Sequence, residues 1–356
     1  MSIPWIYYEG VRYSLSEELK PESTHPAFQF CIEWLNGRTE FELQTSGSTG
    51  EPKKIKVTRP QLIASAQLTL SVLGLQPNET ALVCLDTRYI AGIMMLVRAL
   101  EGGLNIVLVN PSANPFESIP DSMPIDFVAL VPYQVEAILK SDHGARLDTM
   151  KVVLIGGAPV SEKLKTALEP FRAAIYSTYG MTETLSHIAL QRLSGAAAQK
   201  KFQALAGISL SRDERGCLII QAPHLREAPI VTNDLVELYP GNSFRWLGRI
   251  DHVINSGGIK IFPEEIEHQL QPIFSEFGLS NRFFIMAAPD SSLGEVLMLV
   301  VEGTLDKSLQ QNLLASMKQK LPAYRAPRLI ETVSHFVNTE TGKVNRPKTI
   351  ALVRGL

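Results

Sequence analysis

The sequence contains few cysteines, no long apolar run and no excess of charge of either sign, and each shortage excludes a class of protein. Cys31, Cys84 and Cys217 lie far apart, so their spacing matches no metal site, and their odd number is typical of a reducing compartment. No apolar run reaches the roughly 18 residues that cross a bilayer. The 34 basic and 36 acidic residues give a net charge of −2, which argues against nucleic acid or a membrane as the main partner.

The first ten residues also lack the basic segment and apolar run of a secretion signal. We therefore expect a cytoplasmic protein. The chain has 356 residues, 45% of them hydrophobic, and its mean hydropathy of +0.05 is that of an ordinary globular protein. This length exceeds one typical hydrophobic core, so we expect two domains.

Strand and helix patterns alternate through the first half of the chain. Strands are expected at 80–85, 105–109, 126–130, 151–154 and 174–178, and helices at 59–75, 90–101, 133–140 and 161–168. This alternation predicts an α/β fold whose mostly parallel sheet is covered by helices on both faces. Ligands bind such sheets beyond the carboxyl ends of the strands. Gly156, Gly157, Tyr179 and Gly180 follow strands and are expected at that edge.

After residue 207 the sequence pattern changes to that of short strands separated by proline and glycine. This change predicts a β-rich subdomain. After Asp251 the pattern is that of a smaller α+β unit, with a helix expected from Pro263 to Phe274. We therefore predict an N-terminal domain of residues 1–250 and a small, mobile C-terminal domain of residues 251–356.

One short segment after the strand-like residues 41–44 is rich in hydroxyls and glycine. It comprises Thr45, Ser46, Gly47, Ser48, Thr49 and Gly50, and Lys53 follows. Consecutive backbone amides in such a loop form a nest for phosphate oxygens, and hydroxyls and a lysine add donors. The spacing does not fit the Walker P-loop. Taken alone, the segment could equally be an exposed polar turn.

The segment resembles the phosphate loop of the adenylate-forming superfamily, which includes acyl- and aryl-CoA synthetases, luciferases and the adenylation domains of peptide synthetases. In that superfamily the loop holds the β- and γ-phosphates of ATP. Four further segments resemble its other motifs and follow in the same order, at 179–184, 232–234, 247–267 and 338–346. Asn233 departs from the usual glycine, although asparagine tolerates left-handed backbone angles.

The resemblance implies a role for each motif. Tyr179, Gly180 and Met181 would bind ATP together with Gly156 and Gly157, Thr182 would contact the α-phosphate, and Glu183 would bind Mg²⁺, which favours carboxylate ligands. Asp234 and Arg249 would hold the ribose, and Asp251 would be the hinge between the domains. Ser256, Gly257 and Gly258 would bind coenzyme A.

Lys343 carries the last implied role, because the superfamily's lysine bridges the substrate carboxylate and the α-phosphate. A fixed cation contributes most where charge develops in the transition state. Lys343, Thr182 and Glu183 are therefore the predicted catalytic residues. The implied reaction joins a carboxylic acid to AMP, with ATP and Mg²⁺, and then transfers the acyl group to the thiol of coenzyme A.

The acid itself is indicated by a closer resemblance. The chain has 44 residues before the phosphate loop, where superfamily members usually have well over a hundred. Chains shortened in this way resemble o-succinylbenzoate–CoA ligases of menaquinone biosynthesis. The sequence segments that carry this resemblance are 89–100, 131–134, 155–159 and 182–187. Tyr89 stands where many relatives have histidine. O-succinylbenzoate carries a second carboxylate, for which Ser186, His187 and Tyr133 are the predicted donors.

Two alternatives remain open at this point. The acyl group could pass to a carrier-protein thiol rather than to coenzyme A, or the chain could be a non-catalytic adenylate-binding relic. The presence of Lys343, Glu183 and the phosphate loop disfavours the relic. A second subunit could cover the flank that longer relatives fill, so a homodimer is possible.

Overall fold

The computed structural model describes residues 3–16, 19, 24–44, 54–338 and 344–354. Its helices are α1 (Pro26–Leu35), α2 (Arg59–Leu73), α3 (Ile90–Gly102), α4 (Pro132–Leu139), α5 (Arg146–Thr149), α6 (Glu162–Leu168), α7 (Pro263–Glu276), α8 (Lys307–Lys320) and α9 (Arg346–Arg354). Its strands are β1 (Trp5–Tyr8), β2 (Val11–Ser14), β3 (Glu40–Gln44), β4 (Lys54–Thr58), β5 (Thr80–Val83), β6 (Asn105–Leu108), β7 (Phe127–Leu130), β8 (Val152–Ile155), β9 (Ala174–Gly180), β10 (His187–Arg192), β11 (Phe202–Ala204), β12 (Ser209–Arg212), β13 (Cys217–Gln221), β14 (Ile230–Tyr239), β15 (Ser243–Arg249), β16 (Ile254–Ser256), β17 (Ile259–Ile261), β18 (Phe283–Asp290), β19 (Gly294–Glu302) and β20 (Leu329–Val333).

Thirteen of the described strands form one sheet in the order β12-β13-β14-β15-β11-β10-β9-β8-β7-β5-β6-β1-β2. The strands from β9 to β1 are parallel, as the alternation of strands and helices predicts. The remainder pair antiparallel. The β-rich region predicted after residue 207 therefore continues the main sheet rather than forming a separate one. Periodicity within a strand does not indicate which sheet edge it joins, so only the fold decides this.

The parallel strands bury side chains on both faces, which explains why they are apolar throughout. Ala81 and Val83 of β5 face one core with α2 and α3, whereas Leu82 faces the other core with α4 and α6. Burial of each such aliphatic side chain contributes about 1.5–3 kcal/mol to the stability of the folded state. The helices are bounded by ordinary capping, since Ser161 Oγ accepts from the N–H of Leu164 before α6 and Gly74 ends α2 with φ of 63°.

The segment before β3 completes the opposite side of the large sheet. Strand β1 pairs in parallel with β6, β2 forms the sheet's edge, and α1 packs against α3. Trp34 of α1 donates its indole N–H to Glu101 of α3, at 3.2 Å. This short segment therefore contributes two strands and one helix to the fold.

A second sheet forms the C-terminal unit. Its order is β17-β16-β19-β18, and β20 pairs in parallel with β19. Helices α7 and α8 cover one face, and Phe336 packs on the other. The predicted division at Asp251 lies in a 3-10 turn, Ile250–His252, between the two sheets, and we propose it as the domain boundary. None of the helices in the described ranges combines the length and apolarity that crossing a bilayer requires.

Candidate active site

Two predicted groups lie outside the described residues: the phosphate-loop residues Thr45, Ser46, Gly47, Ser48, Thr49, Gly50 and Lys53, and the predicted catalytic Lys343. Their flanks are described. Gln44 of β3 pairs with Lys54 of β4, and Asn338 forms an antiparallel bridge with Val344. The chain therefore enters and leaves each segment at a paired residue.

The glycines after β8 lie at the carboxyl edge of the sheet, as expected. Strands β8 and β9 run parallel, and Ile155 is the partner of Ser177. A Cβ at Gly156 would lie 2.4 Å from Thr178 Oγ1, and Gly157 has φ of 83°. Neither position therefore accepts a side chain without rearrangement.

The turn between β9 and β10 is the centre of the site. At Gly180 a Cβ would lie 2.2 Å from the carbonyl oxygen of Ser186, so the two arms of the turn are in close contact. The buried hydroxyl of Thr184 lies 2.9 Å from the carbonyl oxygen of Met181 and 2.7 Å from that of Ser186. These contacts fix a 3-10 turn, Thr182–Thr184, between the arms.

Glu183 lies on this turn and is exposed. Within the described ranges its carboxylate has no hydrogen-bond or salt-bridge partner. Asp234 and Asp251, in contrast, each accept hydrogen bonds from protein side chains. A carboxylate without protein partners at the edge of a sheet suits Mg²⁺, which takes one or two protein carboxylates and completes its shell with water and phosphate oxygens. The donor set therefore fits the metal that the sequence predicts here.

A second cluster surrounds Asp234 of β14, whose side chain contacts Tyr179 at the end of β9. Asp234 is 8% exposed, and its two carboxylate oxygens accept from the Tyr179 hydroxyl at 2.7 Å and from the Trp246 indole at 3.2 Å. Burial, and next the Asp234 charge, raise the pKa of Tyr179 above its ordinary value, so the hydroxyl keeps its proton. A carboxylate has about four acceptor positions, so Asp234 can still accept from a diol.

Arg249 lies opposite Asp234 on the neighbouring strand β15. Its guanidinium binds Asp251 through two N–H groups, at 2.8 and 2.7 Å. The hydrogen bond from Arg249 lowers the pKa of Asp251 against the effect of burial. The structure thus brings Tyr179 together with Asp234, which is 55 residues further along the chain, and with Arg249 and Asp251.

Ser186 and His187 lie at the start of β10, on the other side of the turn. His187 is 8% exposed and its Nε2 lies 3.1 Å from Thr69 Oγ1 of α2. Ser186 Oγ lies 3.4 Å from His187 Nδ1 and accepts a hydrogen bond from Arg98 of α3. Ser186 and His187, the predicted acid-binding residues, therefore form one group with Thr69 and Arg98. The sequence did not indicate a role for these last two residues.

Arg98 is the most unusual member of this group. It is 3% exposed, it has no carboxylate partner among the described residues, and its Nε is buried without a hydrogen bond. Burial lowers the pKa of its guanidinium to about 9, which leaves it charged at neutral pH. The signal for it in the sequence is one arginine within the apolar helix segment 93–100.

Tyr133, the third residue predicted for the acid, lies elsewhere. It is 69% exposed at the start of α4, and its electrostatic influence falls on Arg282, the residue before β18. Among the described residues no hydrogen bond joins it to Arg98, Ser186 or His187. An apolar pattern locates a helix but not the direction in which its first turn faces.

The residues predicted for coenzyme A form the turn between β16 and β17. Ser256 is 6% exposed, and Gly257 and Gly258 have φ of 57° and 83°. A cavity of about 240 Å³ lies beside Ser256 and Gly257, against Leu293 and Tyr324. The positive φ angles require glycine here.

Comparison with known proteins agrees with this geometry. The model of a family described as AMP-binding enzyme matches residues 43–210. A solved structure of an acyl-CoA synthetase (AMP-forming)/AMP-acid ligase II-like protein from Dyadobacter fermentans is 41% identical, with a TM-score of 0.63, and the match covers 94% of this chain and 95% of that one. The chain belongs to the AMP-binding enzyme family.

Two more distant relatives are named for the acid that they activate. A 2-succinylbenzoate–CoA ligase from Listeria monocytogenes is 26% identical over 96% of this chain and 76% of its own length. The o-succinylbenzoate coenzyme A synthetase of Bacillus subtilis, solved with ATP and a magnesium ion, has a TM-score of 0.71 at 19% identity, covering 87% of this chain and 69% of that one. At such identity the second likeness supports the fold alone. This AMP-binding enzyme therefore has the α/β architecture of the adenylate-forming ligases.

Proposed function

We propose that this enzyme is an acid–CoA ligase that converts o-succinylbenzoate to o-succinylbenzoyl-CoA in menaquinone biosynthesis. The observation that carries the proposal is the buried Arg98, which has no acidic partner among the described residues and lies beside Ser186. A buried charge without a counter-ion costs several kcal/mol. A substrate anion that binds there would supply the missing charge.

The choice of acid follows from the number of carboxylates that the substrate must carry. Activation consumes one carboxylate, which must lie at the phosphate side of the turn near Thr182. An acid with a single carboxylate would leave Arg98 unpaired, whereas o-succinylbenzoate has a second carboxylate for it. Several relatives named 2-succinylbenzoate–CoA ligases, at 23–27% identity, support this choice.

The nucleotide would bind along the same edge of the sheet. Asp234 and Arg249 would hold the ribose and Tyr179 the adenine side, as the resemblance implies. Glu183 would hold Mg²⁺, whose positive charge, when it is bound, offsets the charge of the phosphates. Thr182 would donate to the α-phosphate from the same turn.

The reaction has two half-reactions. A carboxylate oxygen of the acid attacks the α-phosphorus of ATP, the bond to the β-phosphate oxygen breaks, and pyrophosphate leaves. The thiol of coenzyme A then loses its proton and attacks the acyl carbon, and AMP leaves. Lys343 would stabilise the charge of the first transition state. Rotation of the C-terminal unit about Asp251 would then bring Ser256–Gly258 to the thiol.

A pyrophosphate-release assay over a panel of acids, with and without coenzyme A, tests the proposal. We expect release with o-succinylbenzoate and formation of its CoA thioester. Acyl-adenylate without turnover on coenzyme A would indicate a carrier-protein acceptor instead. Absence of release with every acid would contradict the proposed activity and favour a binding relic.

A further inference from the structure

A continuous chain of hydrogen bonds connects α2, β10 and α3 beneath the candidate acid site. Thr69 Oγ1 lies 3.2 Å from the carbonyl oxygen of Ser65, one helical turn earlier, and 3.1 Å from His187 Nε2. His187 Nδ1 lies 3.4 Å from Ser186 Oγ, which also contacts Arg98 Nη2. The chain therefore begins at a backbone carbonyl and ends at the buried guanidinium.

The chemistry of the groups fixes the direction of every bond. A carbonyl oxygen only accepts, so the single hydroxyl proton of Thr69 is donated to Ser65. Thr69 must then accept from His187, which places the imidazole proton on Nε2. Nδ1 is left as an acceptor.

Ser186 completes the sequence of donors. Its hydroxyl proton points to His187 Nδ1, because the guanidinium of Arg98 can only donate. The oxygen of Ser186 is thus free to accept from Arg98. This assignment requires a neutral histidine, and burial, together with the Arg98 charge, does lower the pKa of His187 well below its ordinary value.

We propose that Thr69, His187 and Ser186 are positioning residues that hold the Arg98 guanidinium for the second carboxylate of the acid. This inference rests on the proposed function. It changes the roles expected from the sequence, in which Ser186 and His187 donate to the acid directly. In the structure the Ser186 proton and the Nε2 proton of His187 are committed to protein acceptors, so Arg98 is the donor that remains.

The arrangement also explains how the guanidinium is held although none of the described residues places a carboxylate beside it. Its Nη2 is held by Ser186 Oγ, and Nη1 lies 3.9 Å from Met95 Sδ, whereas Nε is buried without a partner. A carboxylate of the protein here would neutralise the guanidinium and compete with the substrate. Neutral supports fix the position of the charge and leave it available.

The test breaks the chain at its far end, where no group touches the substrate. Thr69→Val keeps the shape of the buried side chain, which is 0% exposed, but removes the acceptor for His187. We expect the KM for o-succinylbenzoate to rise about 5- to 30-fold, with kcat and the KM values of ATP and coenzyme A within twofold. Thr69→Ser, which restores the hydroxyl, should return the acid KM to the wild-type value.

A matched control and a substrate analogue separate positioning from general damage. Thr80→Val makes the same exchange at a buried threonine, 4% exposed, at the amino end of β5, and should leave the acid KM unchanged. An analogue in which a carboxamide replaces the second carboxylate should show the same KM with wild-type and Thr69→Val enzyme. Ser186→Ala, which breaks the chain next to Arg98, should reproduce the selective rise.

An unchanged acid KM in both Thr69→Val and Ser186→Ala would overturn the inference, provided that the wild-type enzyme activates the acid. An equal rise in the KM for ATP, or failure of Thr69→Ser to restore the acid KM, would also overturn it. If the wild-type enzyme releases no pyrophosphate with any dicarboxylic acid, the proposed function itself fails. The two failures are therefore distinguishable.

Discussion

Arg98 shows how a single residue can relate stability to specificity. Arg98 is buried and has no carboxylate partner in the part of the chain that the structure describes. It therefore lowers the stability of the folded state, because no opposite charge offsets its desolvation. Its helix, α3, is otherwise apolar around it, and Met94, Met95, Leu96 and Val97 are at most 1% exposed. A residue that lowers the stability of the folded state in this way is expected where it has a function.

Replacement of this charge should affect stability and activity in opposite directions. We expect Arg98→Met to raise the acid KM by about 100-fold or more, because a buried ion pair is lost, and to leave the melting temperature unchanged or higher. Steady-state kinetics and thermal unfolding measure the two effects. Arg245→Met, which removes an exposed ion pair with Glu237 at 2.9 Å, should change neither. An unaltered acid KM in Arg98→Met would count against the proposed acid.

At the scale of elements, the turn between β9 and β10 connects the two halves of the site. Tyr179, which we propose to contact the nucleotide, lies at the end of β9, and Ser186 and His187, beside the proposed acid site, lie at the start of β10. Strand β10 runs antiparallel to β9 with a register shift between His187 and Ala189. The close contact at Gly180 keeps both ends together, so the geometry of one half depends on the other.

Gly180→Ala should therefore disturb both halves. A Cβ there would lie 2.2 Å from the Ser186 carbonyl oxygen and 2.5 Å from His187 Cα. Both are backbone atoms, so relieving the contact requires a shift of the chain. We expect a loss of about 1–3 kcal/mol in the free energy of unfolding, and higher KM values for both ATP and the acid. Denaturant unfolding and kinetics measure these effects.

Gly144→Ala is the matched control for this exchange. The nearest atoms to a Cβ at Gly144 are 3.6 Å away, an ordinary van der Waals distance. Its stability and kinetics should stay close to those of the wild type. If Gly180→Ala behaved like Gly144→Ala, the turn would not couple the two halves of the site.

At the scale of the whole molecule, the complete or partial burial of three histidines makes stability depend on pH. Burial, as the largest cause, lowers the pKa values of His187, His224 and His268 from the ordinary 6.5. Below pH 6.5 the unfolded chain therefore binds protons that the folded chain does not. The stabilisation is present above pH 6.5 and is lost as the pH falls towards the folded-state values.

We expect the free energy of unfolding to fall between pH 7 and pH 5.5, by at most about 1.4 kcal/mol per pH unit for each such histidine. Urea unfolding at several pH values measures the slope. His187→Gln should reduce the slope, since one of the contributing groups is gone. A free energy of unfolding that does not vary over this range would contradict the prediction.

The proposed rotation of the C-terminal unit predicts that the two half-reactions can be separated. Lys343→Ala should slow formation of the acyl-adenylate by about 100-fold or more. Transfer from a preformed acyl-adenylate to coenzyme A should keep most of its rate, because the role proposed for Lys343 is confined to the first step. Single-turnover assays of each step measure this, and Lys348→Ala, at an exposed lysine of α9, is the control. Equal slowing of both steps would argue against separate roles.

The sequence alone determined the family, the order of the motifs and most of the elements. These features are local, since a glycine-rich nest, a strand or an amphipathic helix is encoded by neighbouring residues. The predicted helix at 59–75 is observed as Arg59–Leu73, and that at 90–101 as Ile90–Gly102. The motif residues Tyr179, Asp234 and Arg249 also follow from the pattern, because each stands at a fixed place in a motif.

Tertiary structure alone decided which distant residues share an environment. Thr69 and Arg98 belong to α2 and α3, and Ser186 directly precedes β10. Their hydrogen bonds exist only because these elements pack together. Tyr133, which the sequence placed with them, is turned to solvent. A one-dimensional pattern gives the apolar or polar character of a residue but not its neighbour across the core, and both the burial of a charge and the direction of a hydrogen bond depend on that neighbour.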